Sequence, residues 1–283
     1  MKSIVVTGAS TGIGWATAKL LVDRGFRVFG SVRKQADADR LKGELGASFT
    51  PLLFDVTDEP AVLAAARDVR AALNGEKLAG LVNNAGIAVA GPVLGLSADE
   101  FRRQMDVNVI GPIIATQAFG PLLGADTSLK GAPGRIVMIS SVAGQNGNPL
   151  TAAYAASKHA IEGLSESLRR ELMLFGIDVI IVAPGAVKTP IWSKAEELDI
   201  APYRNSPYFP ALERMRAFML QLGANGLPPE RIAETVFAAL TLPRPKVRYS
   251  IVPDPVRISM MKTLPKRVVD KIIAKRVGLL PPA

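Results

Sequence analysis

The chain has 283 residues, 48% of them hydrophobic and 21% charged, a balance that suits one large α/β domain with a sizeable core. It contains no cysteine and a single histidine, His159, which excludes disulfides, thiol catalysis and Cys- or His-rich metal sites. The net charge of +9 fits a solvated basic surface with contacts to an anionic ligand; no helix-turn-helix, finger or aromatic-basic motif accompanies it, so nucleic-acid binding is not expected.

The strand pattern begins by residue 3 and leaves no room for a signal peptide, and no run of about 18 uncharged apolar residues predicts a bilayer-spanning helix. A cytoplasmic protein is the expectation. Along the first 190 residues, short apolar runs alternate with segments of helical spacing. The runs Ser3 to Thr7, Arg27 to Val32, Phe49 to Phe54, Leu78 to Val82, Arg135 to Ser140 and Asp178 to Ala183 read as strands buried on both faces. Helices are expected to start near Gly12 and Ala36, after Thr57 or Asp58 as N-cap with Pro60 in the first turn, and after Ser97, with Glu100 completing a capping box. A further helix runs from the Thr151 region towards Gly176, a C-cap glycine. After Pro190 the chain turns rich in aromatics and methionine, then Pro228-Pro229 opens another helix, and "VRYSIV" reads as a last strand.

This order predicts right-handed crossovers and one Rossmann-type, doubly wound parallel sheet of about seven strands, with helices on both faces and a helical lid at 190–227. Ligands of such sheets lie beyond the carboxyl ends of the strands. There, "TGASTGIG" at residues 7–14 joins a strand to a helix, where backbone N–H groups can cradle a pyrophosphate. Gly8 would make the turn, Gly12 would let phosphates approach, and Gly14 would let helix and strand pack. The loop lacks the Gly-Lys-Ser/Thr of a P-loop. Tyr154 and Lys158 are four apart on a helix and share a face. A phenol with a pKa near 10 is a poor base, and a fixed ammonium favours its ionised form; moving it to ~7 takes about 4 kcal/mol.

"TGASTGIG", "NNAG" at 83–86, Asn108, "ISS" at 139–141, "YAASK" at 154–158 and "PGAVKT" at 184–189 occur in one order, each at a strand end or within a helix. In that order and spacing the first 190 residues resemble the short-chain dehydrogenase/reductase family, and residues 228–252 do so more loosely. The resemblance implies an oxidoreductase that transfers a hydride between nicotinamide and a carbonyl or secondary alcohol. It implies Tyr154 as proton-exchanging group, Lys158 as its tuner and ribose ligand, Ser141 as donor to the substrate oxygen, and Asn108 as support for a proton relay. The cofactor site it implies comprises Gly8, Ser10, Thr11, Gly12, Ile13, Gly14, Asp55, Val56, Asn83, Ala85, Gly86, Pro184, Gly185, Val187 and Thr189. His159 reads as structural. A non-catalytic dinucleotide-binding sensor or scaffold is the alternative the fold alone leaves open.

An NAD site usually carries an acid at the end of the second strand. Here that position aligns with Val32, followed by Arg33 and Lys34, which suits the 2′-phosphate of NADP. NAD is the less expected cofactor. Gln145, Asn146, Asn148, Leu150 and Trp192 join Ser141 and Tyr154 as expected substrate contacts. The lid's bulky apolar residues suit a steroid-, retinoid- or aryl-ketone-like ligand, or else form the lid's own core. The basic tail at 255–283 is expected to pack over the lid; a peripheral membrane role is the sharper alternative. A homodimer or homotetramer is expected by resemblance only.

Overall fold

A computed structural model describes residues 1–191, 200–254, 260 and 263–280. Seven strands form one sheet: β1 (Ser3–Val6), β2 (Arg27–Val32), β3 (Phe49–Leu53), β4 (Gly80–Asn83), β5 (Arg135–Ile139), β6 (Asp178–Pro184) and β7 (Arg248–Ile251). Their order is β3-β2-β1-β4-β5-β6-β7 and every pairing is parallel. The helices are α1 (Gly12–Asp23), α2 (Gln35–Leu45), α3 (Glu59–Ala72), α4 (Ala98–Met105), α5 (Gly111–Gly120), α6 (Ala152–Glu171), α7 (Phe209–Ala224), α8 (Pro229–Thr241) and α9 (Lys266–Val277).

Side chains alternate across the sheet. Ile4, Val6, Val28, Val82, Val137 and Val182 pack with α1, α2 and α8 through Leu21, Leu41 and Val236. Val5, Phe29, Leu81, Ile136, Met138 and Val179 pack against α3, α5 and α6 through Val62, Phe119 and Ile161. Both faces being covered explains the continuous apolar runs. Leu78 lies outside β4 because its N–H bonds the Leu122 carbonyl (2.9 Å) at the end of the long helix, so the strand starts two residues later.

Of the two candidate caps for α3, Asp58 is the one whose carboxylate accepts from Ala61 N–H (3.1 Å). Ser97 and Glu100 form the expected capping box at α4. The chain after α6 turns at Gly176 with φ 68°, a left-handed conformation that glycine adopts without strain. From Ala98 to Leu123 the chain is helical, with a π turn at Asp106–Ile110 and a second at Pro121–Ala125 that breaks at Gly124. The first π turn has a cause in the sequence. Pro112 has no N–H to give the carbonyl four residues back, that of Asn108, and its ring crowds that carbonyl. Among the described residues this helix is the one long and apolar enough to cross a bilayer, yet 67% of its most apolar window is buried in the fold, which makes it a core helix.

The chain runs outward through β1, β2 and β3, then returns to β4 on the other side of β1. The loops after β1 and β4 therefore diverge and open a crevice between them. Thr7 stitches the two together, its hydroxyl accepting from the N–H groups of Asn84 (2.9 Å) and Ala85 (3.1 Å). Beyond Ile200 the lid builds its own small core: Ala211, Leu212 and Met215 with Leu150 and Val277, flanked by Tyr203, Tyr208, Phe218 and Met219. Its ends are tied down, by Tyr203 O–H to the Gly95 carbonyl (3.0 Å) and by the Leu227 N–H to the Ala186 carbonyl (2.9 Å). Of the tail, α9 packs on the lid, with the Arg276 guanidinium 4.4 Å over the Phe218 ring.

Candidate active site

One cleft runs along the carboxyl ends of the strands, from Arg33 and Asp55 at one end, past Gly8 and Thr11, to Ser141, Tyr154, Lys158 and Pro190 at the other. Its floor is the glycine loop. Gly8 and Gly12 have φ of 67° and 59°, conformations that side chains resist. A Cβ at Gly8 would lie 2.9 Å from the Ala85 Cα, and one at Gly14 only 2.1 Å from the Gly8 carbonyl oxygen. Gly14 thus serves helix packing and does not line the cleft. Thr11 caps α1 without a side-chain hydrogen bond, and no acid lies in the first turn. The first N–H groups of α1, at the Thr11, Gly12 and Ile13 wall of the cleft, are thereby left for an anion. The residues present fit a dinucleotide pyrophosphate.

The remaining expected cofactor residues divide. Ser10, Val56, Gly86, Gly185, Val187 and Thr189 line the cleft, as do Asp55, Ala85 and Pro184. Asn83 and Lys34 do not. Asn83 points into the core, its Nδ2 donating to Thr116 Oγ1 (3.2 Å), because it is the last residue of β4 and faces α5. Its neighbour Asn84 takes the cleft position, with Nδ2 bonded to the carbonyls of Thr7 (2.9 Å) and Gly8 (3.0 Å). Lys34 starts α2 as its N-cap and is exposed, next to Arg33 in the chain. Arg33 remains, 3.7 Å from the Asp55 carboxylate and 67% exposed. Arg40, unforeseen, reaches from α2 to the Ser10 carbonyl (2.6 Å).

At the other end, α6 places Tyr154, Lys158 and Glu162 on one face by four-residue spacing. Lys158 is buried and donates to the Ile139 carbonyl (2.8 Å), where β5 ends. Burial pushes its pKa down to about 8, with Glu162 pulling the other way. The Tyr154 phenol is raised by burial, against which a hydrogen bond from Ser141 acts. Lys158 alone does not lower this phenol: its ammonium donates to Ile139 and sits 5.7 Å from the ring centroid, so desolvation dominates, and the expectation rested on the ammonium together with an oxidised nicotinamide. Ser141 Oγ accepts from Ala143 N–H (3.1 Å), which leaves its O–H to donate towards the phenol or a substrate oxygen.

Behind this face lies a network that sequence reasoning missed. Ser140 Oγ donates to Glu162 (2.7 Å), and Glu162 in turn pairs with Arg248 of β7 (2.9 Å). Its only trace in the sequence is the run of i, i+4 positions at 154, 158 and 162. Asn108 is buried, and both its amide hydrogens are committed, to the Ile87 carbonyl and Ser157 Oγ (each 3.0 Å). Ser157, also unforeseen, donates to the Tyr154 carbonyl (2.7 Å), so Asn108 fixes the first turns of α6. His159 bonds the Ala155 carbonyl within its own helix (2.9 Å).

Of the expected substrate contacts, Ser141 and Tyr154 line the cleft. Gln145, Asn146 and Asn148 are exposed on the loop after Ser141, outside the cleft lining, and the loop's end is tied to Gly91, whose N–H donates to the Leu150 carbonyl (2.8 Å). Leu150 is buried in the lid's core and Trp192 lies outside the described residues. Among the described residues no cluster of three or more His, Asp or Glu could hold a metal.

An anion cradle at a helix start and a Tyr–Lys–Ser group at the far end of one cleft define a nicotinamide-dinucleotide oxidoreductase. The profile of the short chain dehydrogenase family matches residues 2–199. A relative named NADPH-dependent 3-dehydrocapnine reductase, from Ornithobacterium rhinotracheale, is 37% identical over 97% of both chains. Human retinol dehydrogenase 5 is 33% identical over 87% of this chain and 79% of that protein. A short-chain dehydrogenase structure from Streptomyces avermitilis superimposes with a TM-score of 0.76 at 27% identity, covering 98% and 97% of the two chains. The chain belongs to the short-chain dehydrogenase/reductase family and is an oxidoreductase acting on CH–OH groups.

Proposed function

We propose that the enzyme uses NADP(H) to interconvert a carbonyl and a secondary alcohol on a hydrophobic small molecule. The end of β2 carries the cofactor assignment. Val32 stands where an acid would meet a ribose 2′-hydroxyl, and Arg33 follows it in the cleft wall. Ser10 adds a hydroxyl on the same wall. Asp55 balances Arg33 only at 3.7 Å across an exposed surface, a weak tie that a phosphate dianion can outcompete. The name of the Ornithobacterium relative supports the same choice.

When bound, the nicotinamide supplies or accepts the hydride and, oxidised, adds positive charge near the phenol. Tyr154 then gives its proton to the carbonyl oxygen in reduction, or takes one from the alcohol in oxidation. Ser141 donates to that same oxygen and holds it beside the phenol. Lys158 supplies a cation whose field favours the ionised phenol. Asn108 and Ser157 keep the first turns of α6 in place. The hydrophobic substrate class is supported by Ile191 and Pro190 at the reactive end of the cleft. The name of the retinol dehydrogenase relative points the same way.

Two measurements test this. Val32→Asp with Arg33→Ser is expected to shift the kcat/KM ratio from NADPH towards NADH by about 100-fold, because a charge-assisted hydrogen bond to the 2′-phosphate gives way to a repulsion. An unchanged ratio would reject the assignment of β2. Across ketones of rising hydrophobicity, kcat/KM is expected to rise, and Tyr154→Phe to abolish turnover while leaving NADPH binding within about threefold.

A further inference from the structure

The last helix has two faces of opposite kind. Its inward side packs on the lid through buried Val277, and Val269 and Ile273 on the turns before it are half-buried. On the other side, Val268 and Ile272 stand one turn apart on one stripe of the helix, 44% and 49% exposed, and Leu264, just before the N-cap Pro265, is 41% exposed. Exposed apolar residues scattered singly are ordinary, so the stripe takes its meaning from the charges beside it.

The residues beside the stripe identify what it suits. Arg267, Lys271 and Lys275 flank it and are exposed, and α9 carries five cations (Lys266, Arg267, Lys271, Lys275, Arg276) against one acid, Asp270. Two copies of such a face would meet cation to cation, which disfavours self-pairing. Lysine and arginine can lay their aliphatic stems along an apolar boundary while the charged heads stay in water. Twelve residues make a helix about 18 Å long, too short to span a bilayer, so it would lie flat. An apolar stripe rimmed by cations, on a helix already held by its other side, is the arrangement of an interfacial helix.

We infer that the outward face of α9 docks on an anionic lipid surface, with Leu264, Val268 and Ile272 entering the headgroup boundary and the flanking cations meeting lipid phosphates. This does not depend on which cofactor or substrate the cleft takes. It adds a site, on the lid's outer side, to a protein whose chemistry lies at the strand ends.

The test uses the full chain and two double variants on exposed positions, Val268→Asp with Ile272→Asp and Lys271→Glu with Lys275→Glu. Each is checked for wild-type thermal melting. Sedimentation is measured with phosphatidylcholine vesicles and with mixed phosphatidylcholine–phosphatidylglycerol vesicles. The wild type is expected to pellet with the mixed vesicles, less so in high salt, and to stay in solution with pure phosphatidylcholine. Both variants are expected to lose the bound fraction by about tenfold or more, because each removes or reverses terms worth roughly 1 kcal/mol apiece. A wild type that stays in solution, or variants that pellet as it does, would overturn the inference. So would a change of oligomeric size in the apolar-to-Asp variant without any vesicle binding, which would assign the face to a second copy of the chain.

Discussion

Lys158 is a cation set where a cation is costly. Burial takes its pKa from 10.5 to about 8, which corresponds to about 3 kcal/mol of disfavour for the charged form at neutral pH. The sign has consequences for stability. Between roughly pH 8 and 10.5 the unfolded chain binds the proton that the folded chain has released, so this residue's share of stability rises with pH across that window. Lys158→Met is therefore expected to raise stability at pH 7 by about 1–2 kcal/mol, since it removes the buried charge and leaves the Ile139 carbonyl without its partner. Urea unfolding should show the gap between variant and wild type closing as pH rises above 8; a gap that widens would refute the reading. Turnover of the same variant should be lost. In the wild type, kcat/KM for ketone reduction should fall above about pH 8 as the ammonium loses its proton. A profile flat to pH 10 would separate Lys158 from the chemistry. The residues of this group were legible because their spacing is local: Tyr154 and Lys158 share a helix face whatever surrounds them. The direction of the phenol's pKa was not legible, since it depends on burial and on where the ammonium spends its hydrogen bond.

Two elements carry the geometry on which those residues depend. The first is α1, whose approach to β1 is set by Gly14. A methyl there would meet the Gly8 carbonyl oxygen and Asn84 Nδ2 at 2.1 and 2.5 Å. Neither can yield without moving the glycine loop, so Gly14→Ala is expected to cost about 3 kcal/mol or more and to weaken NADPH binding by at least ~10-fold. Calorimetric unfolding and fluorescence titration would measure both; a variant that kept wild-type affinity would mean that the loop tolerates displacement. The second element is the π turn before α5. Pro112→Ala restores an N–H to the Asn108 carbonyl and relieves the local clash. Stability should hold or rise, while kcat falls by about tenfold or more, because the Asn108–Ser157 contact shifts with the helix register. The cap of α4 could be read directly, because the capping side chain and the N–H that donates to it lie three residues apart, while α3 left Thr57 and Asp58 both open. The π turn was hidden because a hydrophobic pattern records a helix but not a local change in its winding, although Pro112 was in plain view.

At the scale of the whole molecule, the site is assembled from distant pieces. Thr7 and Asn84 join loops 77 residues apart, and Glu162 meets Arg248 across 86 residues. The alternating apolar runs made a parallel sheet of about seven strands foreseeable, because each run must be buried on both faces and each crossover has one hand. The Arg40, Asn84 and Arg248 contacts were not foreseeable, since they arise only once the sheet brings its strand ends together. Composition also left the lid's aromatics undecided between pocket and core; the structure puts Tyr203, Tyr208 and Phe218 around the lid's core. The Glu162–Arg248 pair, 15% and 19% exposed, ties the edge strand β7 to the helix that bears Tyr154. Arg248→Met should destabilise the fold by about 2 kcal/mol and slow turnover, and Glu162→Gln in the same background should recover part of the stability, because the stranded carboxylate is then gone. A double variant no more stable than Arg248→Met alone would show that the pair is not what holds β7.

The two-ended attachment of the lid bears on how such an enzyme changes its diet over time. The segment follows Pro190 and returns at Leu227, and its described part, from Ile200 on, packs mainly with its own residues, Leu150 and the last helix. None of the groups on β5 and α6 that flank the reacting oxygen belongs to it. Replacing the stretch wholesale would therefore leave the proton-handling apparatus standing, in the way a tool keeps its handle when its bit is exchanged.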